Sequence, residues 1–157
     1  MKRIGVLPIS LGLLMTVGSL TVERAYAGEN DQPTKCSLDT LQGQYLVAAN
    51  GTLFPPAFGI PAGTPPSVSN AAGYSVYYGD GHGEDWVTFT VNGVNQNVTS
   101  PTPTTYTLKP DCAGTKTVLP SGQHFNIFVA LDGSGLTAVA TDPGFAASES
   151  DRRVGSE

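Results

Sequence analysis

The chain has 157 residues, 39% of them hydrophobic, with 8 basic against 13 acidic side chains and a formal net charge of −5. That size suits one domain with one core. The acidic balance argues against nucleic acid or an anionic membrane surface as partner, since both call for a basic face.

In chain order, the first feature is a basic head, Met1-Lys2-Arg3, followed by an apolar run over 4–20 and a polar stretch over 21–24. Ala25-Tyr26-Ala27 then fits the small-x-small pattern of a signal-peptidase site. We therefore expect residues 1–27 to be a signal peptide and residues 28–157 to be a single exported domain, extracellular or periplasmic. No second apolar stretch is long enough to span a bilayer, so no integral membrane segment is expected after cleavage. Cys36 and Cys112 are the two cysteines. An oxidising compartment would pair them, closing a loop of about 75 residues and contributing on the order of 4 kcal/mol. Their separation lacks the paired ligand spacing of a zinc site, and no base partner marks either as a catalytic thiol.

From residue 44 onward, short alternating runs are separated by turn residues, the signature of strands. Residues 44–50 place Tyr45, Val47 and Ala49 on one face. Residues 71–79 place Tyr74, Val76 and Tyr78 on one face and Ser75 and Tyr77 on the other. After an Asp-Gly-His-Gly turn, residues 84–91 alternate Val87, Phe89 and Val91 against Trp86, Thr88 and Thr90. Asn92-Gly93 is a hairpin signal, because both central positions of a type I′ turn need positive φ. A strand over 95–100 returns, and Pro101-Thr102-Pro103 is expected to break the ladder. Strands follow over 104–109, 115–119, 124–131 (Phe125, Ile127, Val129 and Leu131 on one face), 136–141 and 146–154. Eight or nine strands in a meander predict an all-β fold, a small antiparallel up-and-down barrel, with a β-sandwich as the alternative.

Residues 51–69 interrupt the rhythm with five prolines, three glycines and four large apolar residues, Leu53, Phe54, Phe58 and Ile60. Such a loop either plugs the barrel end or forms a lid over its mouth, with Phe54 and Phe58 as the lid residues.

The stretch from Cys36 to Tyr45 reads C-x4-L-x-G-x-Y, residues 80–83 read D-G-x-G, and residues 106–115 read Y-x-x-x-x-D-C-x-G-T. With Thr141-Asp142-Pro143-Gly144 and Arg152 or Arg153, the chain resembles a group of secreted bacterial β-proteins over nearly all of 36–154. That resemblance implies the Cys36–Cys112 disulfide and a β-barrel, and it brings no assigned reaction. The Gly43-Gln44-Tyr45 stretch and a late arginine give a looser likeness to calycin barrels such as lipocalins. Size and strand count resemble allene oxide cyclase-like barrels, at the level of fold only.

Motifs of chemistry are few. His82 and His124, with Glu84 and Asp85, are the candidate metal ligands, but Asp80 to Asp85 reads more simply as a polar hairpin turn. No nucleophile elbow, zinc-protease or phosphate-binding motif occurs, so neither metal nor cofactor is expected and no catalytic set stands out. Asn50-Gly51-Thr52 and Asn97-Val98-Thr99 are glycosylation sequons, relevant only to a eukaryotic secretory route. Nothing in the sequence specifies an oligomeric state.

Aromatics carry the remaining signal. Tyr45, Tyr74, Tyr78, Trp86, Phe89, Phe125 and Ile127 are the candidate ligand-binding residues of a barrel that takes a small, largely apolar molecule, or that acts as an extracellular interaction module. The alternative is a barrel cyclase or isomerase that shapes a reactive substrate, with His124 among the residues lining its lumen.

Overall fold

Alternation decides the architecture: nearly every strand carries small or apolar residues on one face, and these faces turn toward a common lumen. A computed structural model describes residues 35–96 and 101–155, apart from the side chain of Phe58. The expected signal peptide over 1–27 and the second sequon lie outside the described residues. Nine strands are described: β1 (Gln42–Leu53), β2 (Ser67–Tyr78), β3 (His82–Val91), β4 (Val94–Gln96), β5 (Thr102–Leu108), β6 (Ala113–Val118), β7 (Gln123–Val129), β8 (Gly135–Ala140) and β9 (Phe145–Arg153). Single 3-10 turns cover Leu38–Thr40 and Ala57–Gly59. Among the described residues no helix is long and apolar enough to cross a membrane.

All pairings are antiparallel, and β1 pairs with both β2 and β9 while β2 pairs with β3, which closes the sheet. The result is a closed eight-stranded barrel with β4 as an extra strand, and not a sandwich. Strand β4 folds back on the end of β3 through Asn92 (φ 49°) and Gly93 (φ 79°), as the Asn-Gly signal requires. The Asn92 side chain also accepts the Val68 N–H at 2.9 Å and donates to Ser67 Oγ at 3.1 Å, fixing the hairpin to the start of β2. Strand β5 then pairs with the first half of β3, from His82 opposite Thr105 to Asp85 opposite Thr102.

Several boundaries differ from expectation; β7, for instance, stops at Val129 and leaves Leu131 off the shared face and 38% exposed. The loop expected over 51–69 is shorter, because β1 runs through Gly51 to Leu53 and β2 begins at Ser67. Gly51 opposite Ala147 explains the first extension: a Cβ at Gly51 would lie 2.7 Å from that of Ala147, so the backbones pair at close range. Pro103 does not break the ladder. It sits inside β5, opposite Glu84, and loses only a donor; its carbonyl accepts the Leu119 N–H at 2.8 Å.

The barrel is filled at one end. Tyr45, Tyr77 and Tyr106 stack edge to face, with centroids 5.3 and 5.4 Å apart, above Leu41, Ile127, Val129 and Leu136. Each hydroxyl is satisfied, which burial of a tyrosine demands. Tyr45 donates to the Gly133 carbonyl at 2.8 Å, Tyr106 lies 3.0 and 2.9 Å from the Leu38 and Leu41 carbonyls, and Tyr77 donates to Asp151 Oδ2 at 3.2 Å. The segment before β1 covers this end and is tied to the β5–β6 turn by the Cys36–Cys112 disulfide, with Cα atoms 5.0 Å apart. The Cys36 N–H adds a bond to the Pro110 carbonyl at 3.2 Å.

Candidate functional site

The opposite end of the barrel is open. Strands β1, β3, β7 and β9 turn Val47, Ala49, Val87, Phe89, Phe125, Phe145 and Ala147 inward there, around a half-enclosed cavity of about 400 Å³. Phe125 and Phe145 meet edge to face with centroids 6.1 Å apart. The small residues Ala49, Ser69 and Ala71 leave the room that bulkier side chains occupy at the closed end.

Between the cavity and the tyrosines lies a layer of charge. Lys116 of β6 is 1% exposed, and its Nζ sits 3.1 Å from Asp85 Oδ2 and 2.8 Å from Glu149 Oε1. It also lies 5.7 Å from the centroid of the Tyr77 ring. Ser75 Oγ donates to Asp85 Oδ1 at 2.6 Å. Asp151, next inward along β9, accepts from Tyr77. Asp85 and Glu149 line the cavity floor; Lys116 and Asp151 lie behind them.

Burial shapes the protonation of this layer. It would depress the Lys116 ammonium, but Tyr77, Glu149, Asp85 and Asp151 around it prevail and hold its pKa well above the usual lysine value. Burial raises Asp151 most, and the neighbouring Glu149 charge adds to it against the pull of Lys116, so that this carboxyl is pushed up to about 8. Asp151 is therefore protonated near neutrality. That accounts for its Oδ1, which has no donor: a protonated carboxyl becomes a donor itself, toward Glu149. Burial likewise pushes the Tyr77 hydroxyl well up, with the Lys116 charge opposing, so it stays neutral and donates.

Of the residues singled out from sequence, Phe89 and Phe125 line the cavity. Tyr45 and Ile127 are inside the barrel but below the charged layer, packed in the closed half. Tyr74, Tyr78 and Trp86 project from the outer wall, and the structure does not bring them to the cavity. Trp86 is 40% exposed and stacks on Tyr74 at 5.9 Å, with Leu46 next in the same cross-strand row. The inner face of β2 is instead Ser67, Ser69, Ala71, Gly73, Ser75 and Tyr77, because residues of the other parity must point out. Phe54 is 43% exposed and does not line the cavity, whereas Ile60 of the same loop packs on the core. The side chain of Phe58 is outside the described set. The loop is held by the Phe54 N–H bonding the Gly144 carbonyl at 2.8 Å.

The two histidines lie at opposite ends. His82 Nδ1 is 3.3 Å from Asp80 Oδ1 at the closed end, and His124 Nδ1 is 2.9 Å from Asp142 Oδ1 at the open end. Glu84 does not join them, and Asp85 belongs to the floor.

Sequence reading missed Lys116 and Glu149, and took Asp85 for part of a polar turn rather than for a floor residue. Their signal was a charge on the parity of apolar neighbours: Asp85 with Val87 and Phe89, and Glu149 with Phe145 and Ala147. No protein-family model, curated protein or solved structure matches the chain.

Proposed function

We propose that the protein is exported and that its barrel binds a small, largely apolar molecule in the open cup. The observation that carries this reading is a cavity of about 400 Å³ with apolar walls and two carboxylates at its base, in a barrel whose other half is solid. Ligand sites have this size and this mix of apolar wall and few polar groups. Export is supported by the signal-like first 27 residues and by the disulfide, and membership of the secreted β-protein group remains part of the proposal.

The test is native mass spectrometry of the protein mixed with the neutral fluorophore N-phenyl-1-naphthylamine. A 1:1 complex is expected, lost in Ala49→Trp and in Ala147→Trp, each of which fills the cup from one wall. Circular dichroism confirms that the variants fold. Absence of any complex, or a complex indifferent to both substitutions, overturns the reading. An N-terminus at Gly28 on the exported product tests the export claim.

One observation favours a cyclase or isomerase as the second reading: the Asp85 and Glu149 side chains both reach the same cavity, where one ligand touches both. Turnover of a bound compound, lost in Glu149→Gln while binding persists, would establish it.

A further inference from the structure

The chemistry of the cup floor narrows the ligand, granted that the cup is a binding site. Lys116 approaches Asp85 and Glu149 from behind, at 3.1 and 2.8 Å, and does not line the cavity. The lumen therefore meets the carboxylates, which are 7% and 9% exposed, and not the ammonium. One lysine stands against three carboxyl groups in this layer. Even with Asp151 protonated, Asp85 and Glu149 leave one negative charge uncompensated in a water-poor setting, where an unpaired charge is costly. Thr104 Oγ1, also in the barrel interior, is buried without a hydrogen-bond partner. The layer is thus short of positive charge.

We infer that the cup takes an amphiphile whose apolar body lies among Val87, Phe89, Phe125 and Phe145 and whose protonated amine meets Asp85 and Glu149. An ammonium supplies the missing charge and up to three donors. Flanking aromatic rings tolerate a cation where they would not favour an anion. A carboxylate of the same length would face like charge at the floor, and an alcohol would supply a donor without charge. The excess of 13 acidic over 8 basic residues across the chain acts in the same direction, drawing cations in from solution.

Three ligands of one chain length separate these cases: n-octylamine, n-octanol and n-octanoate, each competed against N-phenyl-1-naphthylamine at pH 7. Octylamine is expected to compete at least tenfold better than octanoate, with octanol between them. Asp85→Asn and Glu149→Gln should each reduce the ratio of octylamine to octanol affinity severalfold. Octanoate competing as well as octylamine with the wild-type protein overturns the inference and leaves the apolar cup standing. So does an amine preference unchanged in both variants. Failure of the neutral probe itself removes the cup and this inference together. The wild-type comparison stands alone should either variant fail to fold.

Discussion

Lys116→Met removes the one cation of the charged layer and keeps most of the side-chain volume. The ammonium holds Asp85 at 3.1 Å and Glu149 at 2.8 Å; without it, Asp85 retains the Ser75 hydroxyl at 2.6 Å and Glu149 retains Asp151. Breaking a buried ion pair by removing one partner costs about 3–5 kcal/mol, because the other charge stays buried and uncompensated. Against a domain stability of roughly 5–15 kcal/mol, that leaves the variant marginal at pH 7. Urea unfolding followed by far-ultraviolet circular dichroism at pH 7, at matched ionic strength, measures the loss. A further triple variant, Lys116→Met with Asp85→Leu and Glu149→Leu, should recover much of the loss, since a packed apolar replacement removes the stranded charges. A loss under about 1 kcal/mol at pH 7, or no recovery in the triple variant, would show that the layer is not the buried ion cluster described here.

The same layer gives the barrel a pH dependence. Asp151 has a folded pKa of about 8, raised above its unfolded value near 3.8, so the folded state holds one more proton between those limits. Its contribution is fully present below the unfolded pKa and is lost as pH rises to 8, with a limiting slope of about 1.4 kcal/mol per pH unit. Stability should fall from pH 5 to 8 and the fall should flatten in Asp151→Asn; a wild-type profile that is flat or rising counts against the assignment. Cys112→Ser opens a loop with a sequence separation of 76 and should cost about 4 kcal/mol, seen as a lower urea midpoint without reductant. Wild type without reductant should show no free thiol. Gly73→Ala places a Cβ 2.1 Å from the Trp86 carbonyl oxygen, so it should destabilise by about 1–3 kcal/mol through β2–β3 separation, whereas Gly63→Ala, with no atom within 4 Å, pays only the strain of its φ of 85°.

Strand existence was legible in this sequence because each strand pairs with neighbours on a period of two, and turns such as Asn92-Gly93 have one cheap backbone solution. The lumen was harder to read. Alternation says that Tyr74, Val76 and Tyr78 share a face and that Ser75 and Tyr77 share the other, but both faces of β2 carry tyrosine. Only closure with β1 and β3 decides that Tyr77 is inside. The boundaries over 51–69 and at Pro103 were misjudged for a related reason: ladder pairing tolerates Gly at a close approach and Pro where only a donor is lost. The charged layer escaped notice because Lys116, Asp85 and Glu149 come from three strands far apart in the chain, and each alone looks like a solvated residue. A charge sharing parity with Phe89 or Phe145 was the available clue.

The most direct test of the central claim is a crystal of the protein soaked with a neutral aryl bromide, read by anomalous scattering at the bromine edge. The account predicts a single strong peak inside the open cup, between Phe89 and Phe125 and above Asp85 and Glu149. A peak only on the outer row of Leu46, Tyr74 and Trp86, with the cup empty, would contradict it and move the binding surface to the exterior of the barrel.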